Sequence, residues 1–157
     1  MVTLNKKVKR FKADATSETV FDLADYKDKK LVIYFYPKDS TPGCTTEGQD
    51  FRDNMAKFKR NKTVVVGVSR DSLKSHEKFK TKQEFPFELI SDPDEILCSQ
   101  FGVIKEKNLY GRKYMGIERS TFLIDEKGIL RKEWRKVKVA HHIDEVLVAV
   151  RELNRSR

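Results

Sequence analysis

Tyr34-Phe35-Tyr36-Pro37-Lys38-Asp39-Ser40-Thr41-Pro42-Gly43-Cys44-Thr45-Thr46-Glu47 is the stretch that decides the fold. From Leu31 to Tyr36 the chain is apolar, β-branched and aromatic, the pattern of a buried strand. Pro37 ends that strand because it cannot donate to a ladder. A polar turn follows, then a helix start, with Thr41 as N-cap and Pro42 at the first helical position, where a missing N–H costs nothing. Cys44 therefore falls in the first turn of a helix that runs to about Lys59. Unpaired N–H groups and the positive end of the helix dipole meet there and favour the thiolate, which is the nucleophilic form. Cys44, Phe51, Met55 and Phe58 repeat at i, i+7, i+11 and i+14, so they share one face, which packs on the sheet. Cys44 is expected at the sheet edge, half-shielded and reachable from the strand-end side. Cys98 lacks such a setting and reads as a small buried filler.

Outward from this stretch, residues 8–12 and 19–23 are strand-like pieces separated by a turn at 14–18. Thr63-Val64-Val65-Val66-Gly67-Val68-Ser69 is a second buried strand, and strand, helix, strand over this span forms a parallel βαβ unit. A helix follows at 72–83, with Leu73, His76 and Phe79 on one stripe. His76 reads as a packed or solvated helix residue. Residues 87–90 form a short strand, and Asp92-Pro93 opens a helix that ends at Gly102. Residues 103–116 read as a polar loop of unusual length, the kind that serves as a lid or functional segment. A strand at 119–124, a turn at Asp125-Glu126-Lys127-Gly128 and an antiparallel return at 129–136 carrying Trp134 make a hairpin. An amphipathic helix closes the chain at 141–153, with Ile143, Val146, Leu147 and Val150 on its apolar face. His141 and His142 are adjacent and do not face one site. The pattern predicts one α/β domain, residues 1–157, with a central mixed β-sheet flanked by helices on both faces. Sites in such sheets lie beyond the carboxyl ends of the strands, where Cys44 is expected.

The length of 157 residues suits a single core, and two cysteines do not make a disulfide scaffold. No apolar run follows the basic start at residues 1–10, and no stretch approaches the roughly 20 apolar residues of a membrane span. A soluble, reducing, cytoplasmic setting is expected. The net charge of +9 raises the question of a nucleic-acid partner. Acidic residues are interleaved with the basic ones, and no recognition-helix, zinc or base-stacking motif accompanies them, so no nucleic-acid role is expected. A thioredoxin-type disulfide reductase is disfavoured as well, because that chemistry wants Cys-x-x-Cys and position 47 is Glu.

Pro37-x-x-x-Thr41-x-x-Cys44 followed by Thr45-x-Glu47 resembles the active-site signature of the peroxiredoxins. Tyr34-Phe35-Tyr36-Pro37-Lys38, Leu89-Ile90-Ser91-Asp92, Phe101-Gly102-Val103 and Arg119-Ser120-Thr121-Phe122-Leu123-Ile124-Asp125 resemble its Q-type branch, also called bacterioferritin comigratory proteins. The similarity spans about residues 14–150. It implies a thioredoxin-like fold and a thiol-dependent peroxidase that reduces hydrogen peroxide and organic hydroperoxides, with no metal, haem or flavin cofactor. Cys44 is then the peroxidatic nucleophile and Arg119 its guanidinium partner. Thr41, Gly43, Cys44 and Arg119 bind the peroxide, Pro37 shields the sulfur from water, and Glu47 orients Arg119. A bare acid in a helix first turn is the other reading of Glu47.

The product, Cys44 sulfenic acid, must be reduced. Many relatives carry a resolving cysteine five residues after the nucleophile, where this chain has Gln49, natural or engineered. Others carry it in the second helix, near Phe79-Lys80-Thr81 here. Only Cys98 remains, so a one-cysteine cycle is expected, with an external thiol (thioredoxin, glutaredoxin or glutathione) as reductant. A Cys44–Cys98 disulfide after local unfolding is the minority reading. A monomer is expected. A peroxide-sensing or chaperone-like switch using the same cysteine is the alternative function.

Overall fold

The computed structural model describes residues 1–155; positions 156 and 157, which the one-domain expectation includes, lie outside the described residues. The strands are β1 (Lys12–Ala15), β2 (Thr19–Asp22), β3 (Lys30–Phe35), β4 (Thr63–Ser69), β5 (Leu89–Ser91), β6 (Ile104–Leu109), β7 (Arg112–Ile117), β8 (Ser120–Ile124) and β9 (Leu130–Trp134). The helices are α1 (Pro42–Asp53), α2 (Met55–Arg60), α3 (Leu73–Gln83), α4 (Ile96–Phe101) and α5 (His142–Arg155).

The main sheet runs β2-β1-β5-β4-β3-β8-β9, and β6 and β7 form a separate two-stranded hairpin. Strands β3, β4 and β5 are mutually parallel, while β8, β9, β1 and β2 add antiparallel. This is the mixed sheet that the sequence pattern predicts. Alternation along β3 sorts the two cores, as the two-residue period of a strand requires. Leu31, Ile33 and Phe35 join Phe101, Leu97 and Cys98 of α4 on one face. Val32, Tyr34 and Tyr36 join Cys44, Phe51, Met55, Phe58, Phe79 and the α5 residues Val146, Leu147 and Val150 on the other.

Several expectations need correction. The helix after Cys44 breaks at Asn54, which takes φ −111° and ψ 8° and turns its side-chain amide back to the Asp50 carbonyl at 2.8 Å. The apolar spacing survives because α2 resumes with Met55 and Phe58 still buried. The first strand lies at Lys12–Ala15 rather than 8–12, since its partners are Thr19–Asp22 and Ile90; Val8 and Phe11 are buried in the core outside any strand. The helix expected from Asp92 starts at Ile96. Asp92 still caps it from upstream, accepting from the N–H groups of Leu97 at 3.1 Å and Cys98 at 2.8 Å. Residues 103–116 are mostly not a loop but the β6–β7 hairpin, closed by Tyr110 and Gly111, both at positive φ.

Candidate active site

Strand pairing brings the site residues together. In the antiparallel β3–β8 ladder, Phe35 pairs with Ser120, so Arg119, one residue before β8, stands at the carboxyl end of β3. The chain leaves β3 through residues 36–41 and enters α1 at Pro42, two residues before Cys44. The Cys44 thiol and the Arg119 guanidinium, 75 positions apart in sequence, therefore meet beyond the carboxyl end of β3.

Arg119 spans the site as a fork. Its Nη2 donates to Cys44 Sγ at 3.3 Å and its Nη1 to Glu47 Oε1 at 2.7 Å. Cys44 and Glu47 lie one turn apart on α1, the spacing that lets one planar guanidinium serve both. Gly43 makes room: a Cβ there would stand 3.2 Å from Arg119 Nη2. The Arg119 side chain is 16% exposed, and Cys44 is 2% exposed, deeper than the half-shielded position expected. Burial works against the charged guanidinium, but Glu47 and Cys44 outweigh it, and the Arg119 pKa is raised.

Glu47 is wholly buried, and burial pushes its pKa up to about 7 against the opposing pull of Arg119. Its second oxygen, Oε2, and the Tyr34 hydroxyl are buried without a hydrogen-bond partner among the described residues. Burial raises the Tyr34 pKa well above the ordinary phenol value, with Glu47 and then Cys44 adding to the shift. Lys107 of β6, half-buried, also senses this centre: burial lowers its pKa first and the Arg119 charge next, while Cys44 pulls the other way.

Thr41 takes the extended N-cap conformation but does not cap with its side chain. Its hydroxyl donates to the Lys38 carbonyl at 2.8 Å, closing the loop on itself, and its carbonyl accepts from Thr45 N–H at 2.9 Å. Pro37 is half-buried at the start of that loop. Cys98 sits across the sheet from Cys44, wholly buried, with its thiol pKa raised by burial and by the neighbouring Asp92. Gln49 points at α3, donating to Gln83 Oε1 at 2.9 Å.

Of the two readings of His76, packed or solvated, the structure shows the packed one, with partners that the sequence did not point to. The ring is wholly buried, with Nδ1 2.7 Å from Asp39 Oδ2 and Nε2 2.9 Å from the Ile90 carbonyl. Its partner lies 37 positions away, and only the three-dimensional fold brings the two together. Asp39, Asp71 and His76 offer ligand-type atoms within 4.8 Å of one another. Those carboxylates already accept from the hydroxyls of Tyr36, Ser75 and Ser69, so hydrogen bonds close the group.

A thiol at a helix start, bonded by a guanidinium that also bonds a buried carboxyl group, has the chemistry that cysteine-based redox reactions call for. The model of the AhpC/TSA family matches residues 4–133, and the chain belongs to that family. Its fold is thioredoxin-like, and its relatives place it among the thiol-dependent peroxidases of the peroxiredoxin Bcp, or Q-type, branch. Peroxiredoxin Bcp of Xanthomonas campestris is 60% identical over 121 residues, 77% of this chain and 76% of that protein. Peroxiredoxin Bcp of Bacillus subtilis is 53% identical, covering 87% of both chains. A cysteine-to-serine variant of PrxQ from Xylella fastidiosa superposes with a TM-score of 0.93 at 42% identity, covering 98% of both chains. The bacterioferritin comigratory protein of Xanthomonas campestris, described for its alkyl peroxide reduction activity, superposes with a TM-score of 0.86 at 51% identity, covering 90% of both.

Proposed function

We propose that Cys44 is the peroxidatic cysteine and that the chain works as a one-cysteine peroxidase on hydrogen peroxide and organic hydroperoxides. The observation that carries this reading is the Arg119 Nη2–Cys44 Sγ hydrogen bond at 3.3 Å at the start of α1. The thiolate attacks the terminal peroxide oxygen. An S–O bond forms as the O–O bond breaks, sulfur is oxidised, and the leaving alkoxide or hydroxide takes up a proton to become alcohol or water. Arg119 and the free N–H groups of the first turn of α1 favour the thiolate and the charge that develops on the departing oxygen. Gly43 admits the guanidinium, Glu47 fixes its plane, and Pro37 and Thr41 shape the approach and keep bulk water off the sulfur.

An external thiol then attacks Cys44 sulfenic acid, releasing water and leaving a mixed disulfide that a second thiol cleaves. Thioredoxin, glutaredoxin and glutathione all meet this chemistry. The sheet between Cys44 and Cys98 supports the one-cysteine cycle, because a disulfide needs Cα atoms within about 7 Å. The unit acts as a monomer in the cytoplasm. Steady-state hydroperoxide consumption with a recycling thiol tests the reading. Turnover by the parent protein and none by Cys44→Ser is expected; equal activity in the two overturns it, and a single stoichiometric oxidation without turnover points to a redox switch.

A further inference from the structure

Two acids compete for one guanidinium at the start of α1. Arg119 donates to Cys44 Sγ at 3.3 Å and to Glu47 Oε1 at 2.7 Å, and both partners are buried. Arginine carries a single, permanent positive charge. With thiolate and carboxylate both ionised, the buried site would hold a negative charge that Arg119 does not neutralise, which a low dielectric makes costly. With one proton kept between them, the charges balance. Asp50 of α1, the other charge that acts on Glu47, is negative and adds to the cost. His142 of α5, which senses Arg119, is held neutral by burial, and Lys107 of β6 is part-exposed and so partly screened.

A second observation says which acid keeps the proton. Glu47 Oε2 is buried and receives no hydrogen bond among the described residues. The Tyr34 hydroxyl of β3 is equally unpaired, and Glu47 is the charge that acts on it most strongly, yet it does not donate to Oε2. A carboxylate oxygen buried without a donor bears its full desolvation cost, whereas a protonated one carries far less. Cys44 Sγ, by contrast, has the Arg119 donor.

We propose that Cys44 and Glu47 hold one proton between them beside Arg119, that the thiolate attacks peroxide while Glu47 is a carboxylic acid, and that Glu47 releases its proton as the sulfur loses its charge. The inference rests on the peroxidatic reading of Cys44. The step balances: thiolate, carboxylic acid and hydroperoxide become sulfenic acid, carboxylate and alcohol or water. The S–O bond forms as the O–O bond breaks, the departing oxygen takes up one proton, and Glu47 gives up one. The exchange needs no direct contact, since water reaches the Arg119 side chain, which is 16% exposed. The site keeps its net charge throughout, and Arg119 passes from pairing with sulfur to pairing with a full carboxylate. If Glu47 is already ionised, the guanidinium is neutralised before the reaction starts and supports the departing oxyanion less well.

Stopped-flow oxidation of the reduced protein by hydrogen peroxide, followed across pH, tests the shared proton. The parent rate is expected to rise as Cys44 ionises and then, above pH 7, to fall by about tenfold per pH unit as Glu47 loses its proton. In Glu47→Gln, which keeps the shape but cannot ionise, the alkaline fall is lost and the rate levels off. The same pH course in both proteins overturns the proposal. A second measurement needs no variant: infrared difference spectra of the parent above pH 7 should show a protonated-carboxyl band that disappears on oxidation to the sulfenic acid. A spectrum without that loss also overturns it. Failure of the peroxidatic reading is distinguishable, because the parent would then form no sulfenic acid at any pH.

Discussion

Replacing Arg119 with methionine separates the guanidinium's chemistry from its bulk, since methionine keeps most of the apolar stem. The Nη2–Sγ bond at 3.3 Å is the one lost from the sulfur. For two opposite charges near 4 Å at an effective dielectric of about 20, the attraction is about 4 kcal/mol, a ceiling that the burial of Arg119 reduces. Loss of one pre-placed donor to a reacting anion costs about 2.7–4 kcal/mol, or 10²–10³ in rate. Arg119→Met is therefore expected to slow hydrogen peroxide oxidation of Cys44 by 10²–10³-fold, read by stopped flow with peroxide in excess and confirmed by trapping the sulfenic acid. Arg119→Lys should fall between, because a single ammonium cannot reproduce the fork that reaches Glu47 and Cys44 at once. Removing the arginine also leaves Glu47 buried without its partner, so the Arg119→Met/Glu47→Gln double variant controls for instability. A correctly folded Arg119→Met protein that oxidises within about threefold of the parent, under 1 kcal/mol, would refute the role given to the guanidinium.

Three further outcomes follow from the same geometry. Cys98→Ala should cycle with external thiol at the parent rate and lose about 1 kcal/mol of stability in denaturant titration, the cost of a small cavity; abolished cycling would implicate Cys98 in resolution. Glu47→Gln should change the pH dependence of stability: the folded-state pKa of about 7 lies above the ordinary value of 4.5, so the contribution of this group is full below pH 4.5 and is lost as pH rises through 7. The parent should lose about 3 kcal/mol more than Glu47→Gln between pH 4.5 and 8 by chemical denaturation, and parallel curves would contradict the assignment. His142, whose pKa burial lowers to about 4, acts with the opposite sign below pH 6.5, but it is common to both proteins and cancels in the difference. Gly48→Ala should destabilise by about 1–3 kcal/mol, measured by thermal unfolding, because its Cβ would lie 2.3 Å from Phe85 Cζ on a buried ring.

The β3 strand, the proline stop and the Cys44 helix start were legible because each is specified locally, by residues within one turn of one another. The alternation that sorts the two cores is likewise local. Arg119 was not legible in this way: its place beside Cys44 depends on the Phe35–Ser120 register, and only the family resemblance pointed to it. The His76–Asp39 pair escaped for the same reason, being set by how α3 docks on the sheet. The β6–β7 hairpin was read as loop because Lys105, Glu106, Asn108, Leu109, Arg112 and Lys113 are all exposed. A strand pair with solvent on both faces shows no two-residue apolar period, and Tyr110-Gly111 at positive φ was the one signal available. The helix break at Asn54 was hidden by an apolar spacing that runs through it.

Intact-mass spectrometry with thiol counting after one equivalent of hydroperoxide bears most directly on the claim that one arginine-paired sulfur breaks the O–O bond. Cys44 should gain a single oxygen while Cys98 stays a free thiol, and Cys44→Ser should leave the peroxide untouched. Loss of two hydrogens within one chain, or oxidation that persists in Cys44→Ser, would contradict it.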